Sequence, residues 1–406
     1  MRIFCCSLIF TGLLLIALSS PEKPHYLYPA CSFLTVGGLE LMITSLQISN
    51  LFGRRKSTVM TLLSGCLDSS AFVLILIKLG YDAFGVSLQT SFFTLAGGCF
   101  IFIFNILLLP KTSHIPYPLP PDYRRKHSKG TKNEDSQLNN GTEMTEMSQG
   151  NAATEKDATS TQNVTEALKD QRYPSLFSCI FSWAAFFLFL WFGLLQLNFF
   201  FFIGTFNSEM ERITGDDQTI VSRYTNILAI FQACSVFIAP LCGLLLDRNR
   251  TVKKMAGSGR GPYDDLLDSR LVFTLTSLLY VIFNMTLLID VVELRYFSFL
   301  LHILTRSFMY SLVVTGSALF FPIKYFGSMS GLIETSASLV GLLQRPMFSI
   351  QQSYLGNQSF WLFIALIGLN VVTLLLPTYI HFNVKRSQKA QKESGQTGTE
   401  PPSTIS

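Results

Sequence analysis

Trp183-Ala184-Ala185-Phe186-Phe187-Leu188-Phe189-Leu190-Trp191-Phe192-Gly193-Leu194-Leu195-Gln196-Leu197-Asn198-Phe199-Phe200-Phe201-Phe202-Ile203 runs without a charged side chain. A helix crosses the hydrocarbon core of a bilayer with about 20 apolar residues, and this run is long enough to do so. The pattern repeats along the chain. Ten such stretches lie near 2–20, 26–50, 58–79, 87–109, 175–203, 221–246, 271–290, 296–321, 328–350 and 360–382. The composition agrees: 49% of residues are hydrophobic and only 14% charged, against about 25% charged in a soluble domain. The expected fold is an all-α polytopic membrane protein. The net charge of +5 sits in loops and forms no nucleic-acid face, so the bilayer and not a nucleic acid is the expected partner.

Lys and Arg mark cytoplasmic loops. They gather at Arg54-Arg55-Lys56, at Arg124-Arg125-Lys126 with Lys129 and Lys132, from Arg248 to Lys254, and at Lys385-Arg386 with Lys389. These clusters fall in alternate loops, which places both termini in the cytoplasm. Met1 to Ser20 also has the form of a signal peptide, but Pro21 makes a poor cleavage position, so it is read as a span. The Pro-rich run His114-Ile115-Pro116-Tyr117-Pro118-Leu119-Pro120-Pro121 opens a polar stretch without apolar periodicity. The expected organisation is therefore a four-span half over 1–109, a disordered cytoplasmic linker over 110–174, a six-span half over 175–384, and a disordered tail over 385–406. The four-and-six division suggests a six-and-six architecture lacking its first two helices. Leu51-Phe52-Gly53 and Tyr325-Phe326-Gly327 would then be equivalent positions in the two halves.

An ionisable side chain at mid-bilayer costs about 2.5–3.5 kcal/mol even on a lenient scale, so each needs a reason. Asp68 and Arg306 lie near the middle of the third and eighth spans, Glu40 in the second and Glu334 inside the ninth. In one reading Asp68 and Arg306 face a central cavity from opposite halves and bind substrate or gate its access. In the other they are structural pairs between helices. Lys78 is expected to extend to the membrane surface. Gln196, Asn198, Thr205 and Asn207 supply uncharged polar groups to the fifth span, as Tyr224, Asn226 and Gln232 do to the sixth. Gln196 and Asn207 share a helical face. Amides beside aromatic rings suit a planar polar substrate, and equally serve as interhelical hydrogen bonds. Most of the rings are expected to face lipid. The eight cysteines all lie in apolar runs and read as small fillers.

Gly243-Leu244-Leu245-Leu246-Asp247-Arg248 closes the sixth span. There the glycine permits close approach of a neighbour, and Asp247 with Arg248 can bridge helices in one state and release them in another. The chain lacks a Gly-rich phosphate loop, HExxH and Gly-x-Ser-x-Gly, and its histidines are scattered. A transporter without catalytic residues, metal or cofactor is expected, and an enzyme is not.

The Gly-x-x-x-Asp-Arg pattern resembles a signature of the major facilitator superfamily. Further stretches resemble solute carrier family 43 within it. They are Leu46-Gln47-Ile48 with Asn50-Leu51-Phe52-Gly53, Asp68-Ser69-Ser70, the 114–121 run, Phe202-Ile203-Gly204-Thr205 with Asn207-Ser208, Tyr224-Thr225-Asn226, and Arg306-Ser307-Phe308 with Tyr310. The set is most similar to the family's nucleobase-transporting branch. The resemblance implies the major facilitator fold with twelve helices, of which this chain would start at the third. It also implies sodium-independent facilitated transport of purine nucleobases such as adenine, guanine and hypoxanthine across the plasma membrane. Asp68, Gln196, Asn207, Asn226, Gln232 and Arg306 would bind substrate, and Gly243, Asp247 and Arg248 would serve the gate. A large neutral amino acid facilitator and a shortened, transport-incompetent membrane protein are the alternatives.

Overall fold

The structure is a computed structural model that describes residues 2–20, 22–46, 48–49, 51–52, 56–70, 72–101, 164–255, 263–356 and 358–396. Among these, every regular element is helical. In chain order the longer ones are α1 (Arg2–Ala17), α2 (Leu27–Leu46), α3 (Lys56–Ser69), α4 (Phe72–Phe84), α5 (Leu88–Gly98), α6 (164–172), α7 (Trp183–Thr214), α8 (Gln218–Ala233) and α9 (Ser235–Met255). They continue with α10 (Asp264–Leu287), α11 (Leu294–Phe320), α12 (Phe326–Gly341), α13 (Gln344–Tyr354), α14 (Phe360–Val372) and α15 (Leu375–Gln396). Helices dominate because lipid offers backbone N–H and C=O groups no partner.

Among the described residues, six stretches are long and apolar enough to cross a membrane: Pro24–Leu46, Trp183–Thr214, Asp264–Leu287, Leu294–Phe320, Ile323–Tyr354 and Phe360–Lys389. A seventh forms if α8 and the part of α9 up to Arg248, bent by 45°, count as one. The remaining expected spans differ in form. The first is the 16-residue α1, the third is divided into α3 and α4, and the fourth, which contains α5, is described only as far as residue 101.

The chain divides into two compact units, Met1–Lys156 with Asp217–Asp247, and Asp157–Asp216 with Arg248–Ser406. In the first, α1 packs along α2 and α5, and α8 packs on α3 and α4. The break between α8 and α9 would strand backbone groups in an apolar setting. Ser69 of α3 answers it: its hydroxyl donates to the Ala233 carbonyl at 2.9 Å and accepts from Val236 N–H at 3.0 Å. Pro240 inside α9 adds to the distortion by removing the N–H that would reach Val236. The two helices lie close, since a Cβ on Gly65 would stand 2.5 Å from that of Ala239.

In the second unit α7 packs on α11, α12, α13, α14 and α15, while α10 packs on α11, α14 and α15. Ser182 caps α7 by accepting from Ala185 N–H. Gly215 ends it at φ 65°, a left-handed conformation that glycine adopts without Cβ strain. Asp217 then accepts from the N–H groups of Thr219 and Ile220 to start α8. Many rings expected against lipid are instead core: Trp191, Phe192, Phe201, Phe273, Phe283, Phe299 and Phe363 are fully buried. The reason is that α7 has neighbours on most sides. Trp191 meets Phe273 edge to face at 4.9 Å and donates its indole N–H to Ser277 at 3.0 Å, which also accepts from Thr373 at 2.8 Å.

Two boundaries depart from expectation. Residues 164–172, read as part of a disordered linker, form α6 and are tied down by polar contacts. Lys169 pairs with Glu166 at 3.5 Å and donates to the Ala318 carbonyl at 2.7 Å, while Glu166 accepts from Ile323 N–H. Lys324 pairs with Asp170 at 2.8 Å, and Tyr325 donates to the Pro174 carbonyl at 3.0 Å. These contacts satisfy groups at the turn between α11 and α12, a reason for order that hydrophobic periodicity does not register. Likewise α15 runs to Gln396, past the expected end at 384.

Candidate functional site

Gln196 and Arg306 are brought together in the second unit by a residue that sequence reasoning did not select, Tyr310. Gln196 sits between three and four turns into α7 and is 4% exposed. Its Nε2 donates to the Tyr310 hydroxyl at 3.0 Å, and its Oε1 is buried without a hydrogen-bond partner. Arg306, one turn before Tyr310 on α11, lays its guanidinium carbon 4.5 Å from the Phe199 ring centroid and 5.9 Å from that of Tyr310. A cation over an aromatic face is stabilised by the ring quadrupole, most when desolvated. Phe199 stacks in turn on His302 at 5.6 Å and 9°, and Phe192 meets Tyr310 edge-on at 6.0 Å.

The spacing explains the assembly. Gln196 and Phe199 are three apart on α7, while His302, Arg306 and Tyr310 are four apart on α11, so each set forms a single ridge. The result is a strip of amide, guanidinium and ring faces ending in an unsatisfied acceptor. Such a strip can bind a flat polar molecule by stacking and by taking an N–H from it. The i, i+4 series on α11 was the signal available in the sequence for His302 and Tyr310.

The other expected residues are placed elsewhere. Asn207 shares α7 with Gln196 but is exposed, and eleven residues at roughly 1.5 Å each put it about 16 Å farther along. Asn198 is fully buried and neither of its side-chain polar atoms has a hydrogen-bond partner. In the first unit, Asn226 of α8 accepts from Lys78 Nζ of α4 at 2.9 Å, so Lys78 spans two helices. Gln232 is half-buried near the end of α8. Asp68 lies in α3, with its side chain outside the described residues. Glu40 accepts from the Cys5 thiol at 3.3 Å, joining α2 to α1.

Gly243 and Asp247 do come together on one neighbour. A Cβ on Gly243 would stand 2.5 Å from Thr58 Cα, so only glycine lets α9 approach α3 this closely. One turn on, the Asp247 carboxylate accepts from Thr58 Oγ1 at 3.0 Å and Thr58 N–H at 3.3 Å. Thr58 lies in the first turn of α3, where N–H groups lack helical partners and a negative charge is favoured. Asp247 therefore caps α3 from another helix. Arg248 is exposed.

The whole chain is similar to the equilibrative nucleobase transporter 1 of Bos taurus, 33% identical over 397 residues that cover 97% of this chain and 78% of that relative. The chain belongs to solute carrier family 43. A second family 43 relative is the large neutral amino acids transporter small subunit 3 of Homo sapiens, 28% identical over 91% of this chain and 74% of the relative. Its Mus musculus counterpart is also 28% identical, over 89% and 73%. No family model matches the chain. These family 43 relatives are transporters and not enzymes, as the absence of catalytic motifs led one to expect. With its apolar helices, the chain is a multi-pass membrane protein.

Proposed function

We propose that this protein is a facilitator of purine nucleobases, adenine, guanine and hypoxanthine among them, working by sodium-independent alternating access at the plasma membrane. The observation that carries the reading is the buried, unpartnered Oε1 of Gln196 beside the Tyr310, Phe199 and Arg306 strip. A buried acceptor left unmet costs about 1–3 kcal/mol, and the ring N–H of a base would satisfy it while the base stacks on the aromatic faces. The name of the bovine relative supports the same substrate class.

In this reading the fold is that of the major facilitator superfamily with about ten spans, four over 1–109 and six over 175–384, and both termini are cytoplasmic. Asp68, Asn207, Asn226 and Gln232 join Gln196 and Arg306 along the substrate path. Gly243, Asp247 and Arg248 form the cytoplasmic gate: Asp247 holds the start of α3 in one state and lets it go in the other.

A second reading, a large neutral amino acid facilitator, is favoured by the human and mouse relatives. A zwitterion needs a fixed cation and a fixed anion, for which Arg306 and Asp68 are the candidates. Uptake of labelled adenine and labelled leucine in cells expressing the chain, with surface amount measured in parallel, decides between them. Adenine uptake that is lost in Arg306→Ala at normal surface amount is the expected result. Leucine uptake without adenine uptake would refute the nucleobase reading.

A further inference from the structure

The span Ile323–Tyr354 is interrupted at Leu342 and Leu343, between α12 and α13. Pro346 accounts for the interruption: it offers no N–H to Leu342, whose carbonyl is taken by Arg345 N–H at 3.1 Å. Immediately beside the break is a cavity of about 230 Å³ between α7 and α13, lined by Phe201, Gly204, Thr205, Gln344, Arg345 and Phe348. Gly204 keeps it open, since a Cβ there would stand 3.4 Å from Gln344 Oε1 and any longer side chain would project inward.

Arg345 is a charged side chain within a membrane-spanning stretch, and among the described residues its guanidinium has neither an ion pair nor a hydrogen bond. Gln344 likewise has no side-chain partner among them. Arg345 is exposed and sits 22 residues into the Ile323–Tyr354 stretch, so its guanidinium is free to meet a ligand at the mouth of the cavity. Two donor-bearing side chains, two phenyl rings and a small volume together describe a site for one flat heterocycle with an acceptor edge. The volume is below the roughly 300–1,000 Å³ of drug-sized pockets, which suits a bare base better than a nucleoside.

We propose that this cavity is a second station for the base and that Arg345 makes it selective for 6-oxopurines. The inference rests on the nucleobase reading and deepens it. Guanine and hypoxanthine present two adjacent acceptors, O6 and N7, which match the two parallel N–H groups of a guanidinium. Adenine replaces O6 with an amino donor, which faces the guanidinium unfavourably and suits an amide instead. The cavity lies about 12 Å along α7 from Gln196, eight residues at roughly 1.5 Å each, so it is distinct from the strip around Tyr310.

The test is competition between labelled guanine and labelled adenine for uptake by the full chain, with surface amount measured. Arg345→Gln is expected to lower the guanine-to-adenine ratio by about tenfold, the scale of one bidentate contact. Arg345→Lys keeps the charge, loses the fork, and is expected to lose the preference as well. Gly204→Leu fills the cavity and is expected to reduce both uptakes and, with the station closed, to lower the guanine-to-adenine ratio as well. An unchanged ratio in Arg345→Gln, a ratio preserved by Arg345→Lys, or undiminished uptake in Gly204→Leu would each overturn the proposal while leaving the nucleobase reading intact. Absence of any base uptake by the unaltered chain would overturn that reading, and this inference with it.

Discussion

Replacing Tyr310 with Phe deletes one hydroxyl and keeps the ring that Phe192 and Arg306 contact. The hydroxyl accepts from Gln196 Nε2 at 3.0 Å, and Gln196 is almost wholly buried. Two consequences follow, and they are separable. A buried amide N–H left without a partner costs about 1–3 kcal/mol of folding stability, which lowers the unfolding temperature of the purified protein. Separately, the amide is no longer held with Oε1 directed at the substrate. Immobilising such a side chain at the moment of binding costs about 0.5–1.5 kcal/mol, which corresponds to a rise in KM of about two- to twelvefold. The assay is concentration-dependent adenine uptake at matched surface amount, beside a thermal unfolding curve in detergent. A lowered unfolding temperature with unchanged KM would refute the reasoning, because Gln196 would then be a packing residue and not a reader of the base.

Ser69→Ala strands Val236 N–H and the Ala233 carbonyl at the break between α8 and α9. With interhelical hydrogen bonds in membranes averaging about 0.6 kcal/mol, the expected loss is about 1 kcal/mol, read as a lower unfolding temperature. Lys169 gives a pH signature. Burial lowers its pKa below the ordinary 10.5 despite Glu166 beside it, so between the two values the unfolded chain holds more protons than the folded one. Stability therefore rises with pH across the window below 10.5. The rise is expected in unfolding curves of the native protein and absent from those of Lys169→Met.

The membrane class was legible because it depends on long-range composition: runs such as 183–203 admit few other readings. Boundaries were less legible: the fifth span was expected to end near 203, whereas α7 runs on to Thr214 and is closed by Gly215. They were least legible where a distant group set them. The α8–α9 break depends on Ser69, which is far away in sequence, and the order of 164–172 depends on Ala318 and Ile323. The site followed the same rule. Gln196 and Arg306 stood out because polar groups in apolar runs are conspicuous, whereas Tyr310 and Phe199 were hidden among many aromatics. Their role is created only when α7 and α11 lie side by side. Gly243, Asp247 and Arg248 were readable as a pattern, but the neighbour that Gly243 and Asp247 meet, Thr58, was not.

The first compact unit is assembled from two separated pieces of chain, with α7 made between them. During synthesis α3 and α4 therefore enter the membrane well before the helices that complete them. Until α8 and α9 follow, Ser69 has no break to bridge and the α3 terminus has no Asp247. Early helices must wait, partly unpaired, while α7 is inserted. A chain halted just after α7 would leave α3 and α4 without the helices that complete them, although both were made before α7.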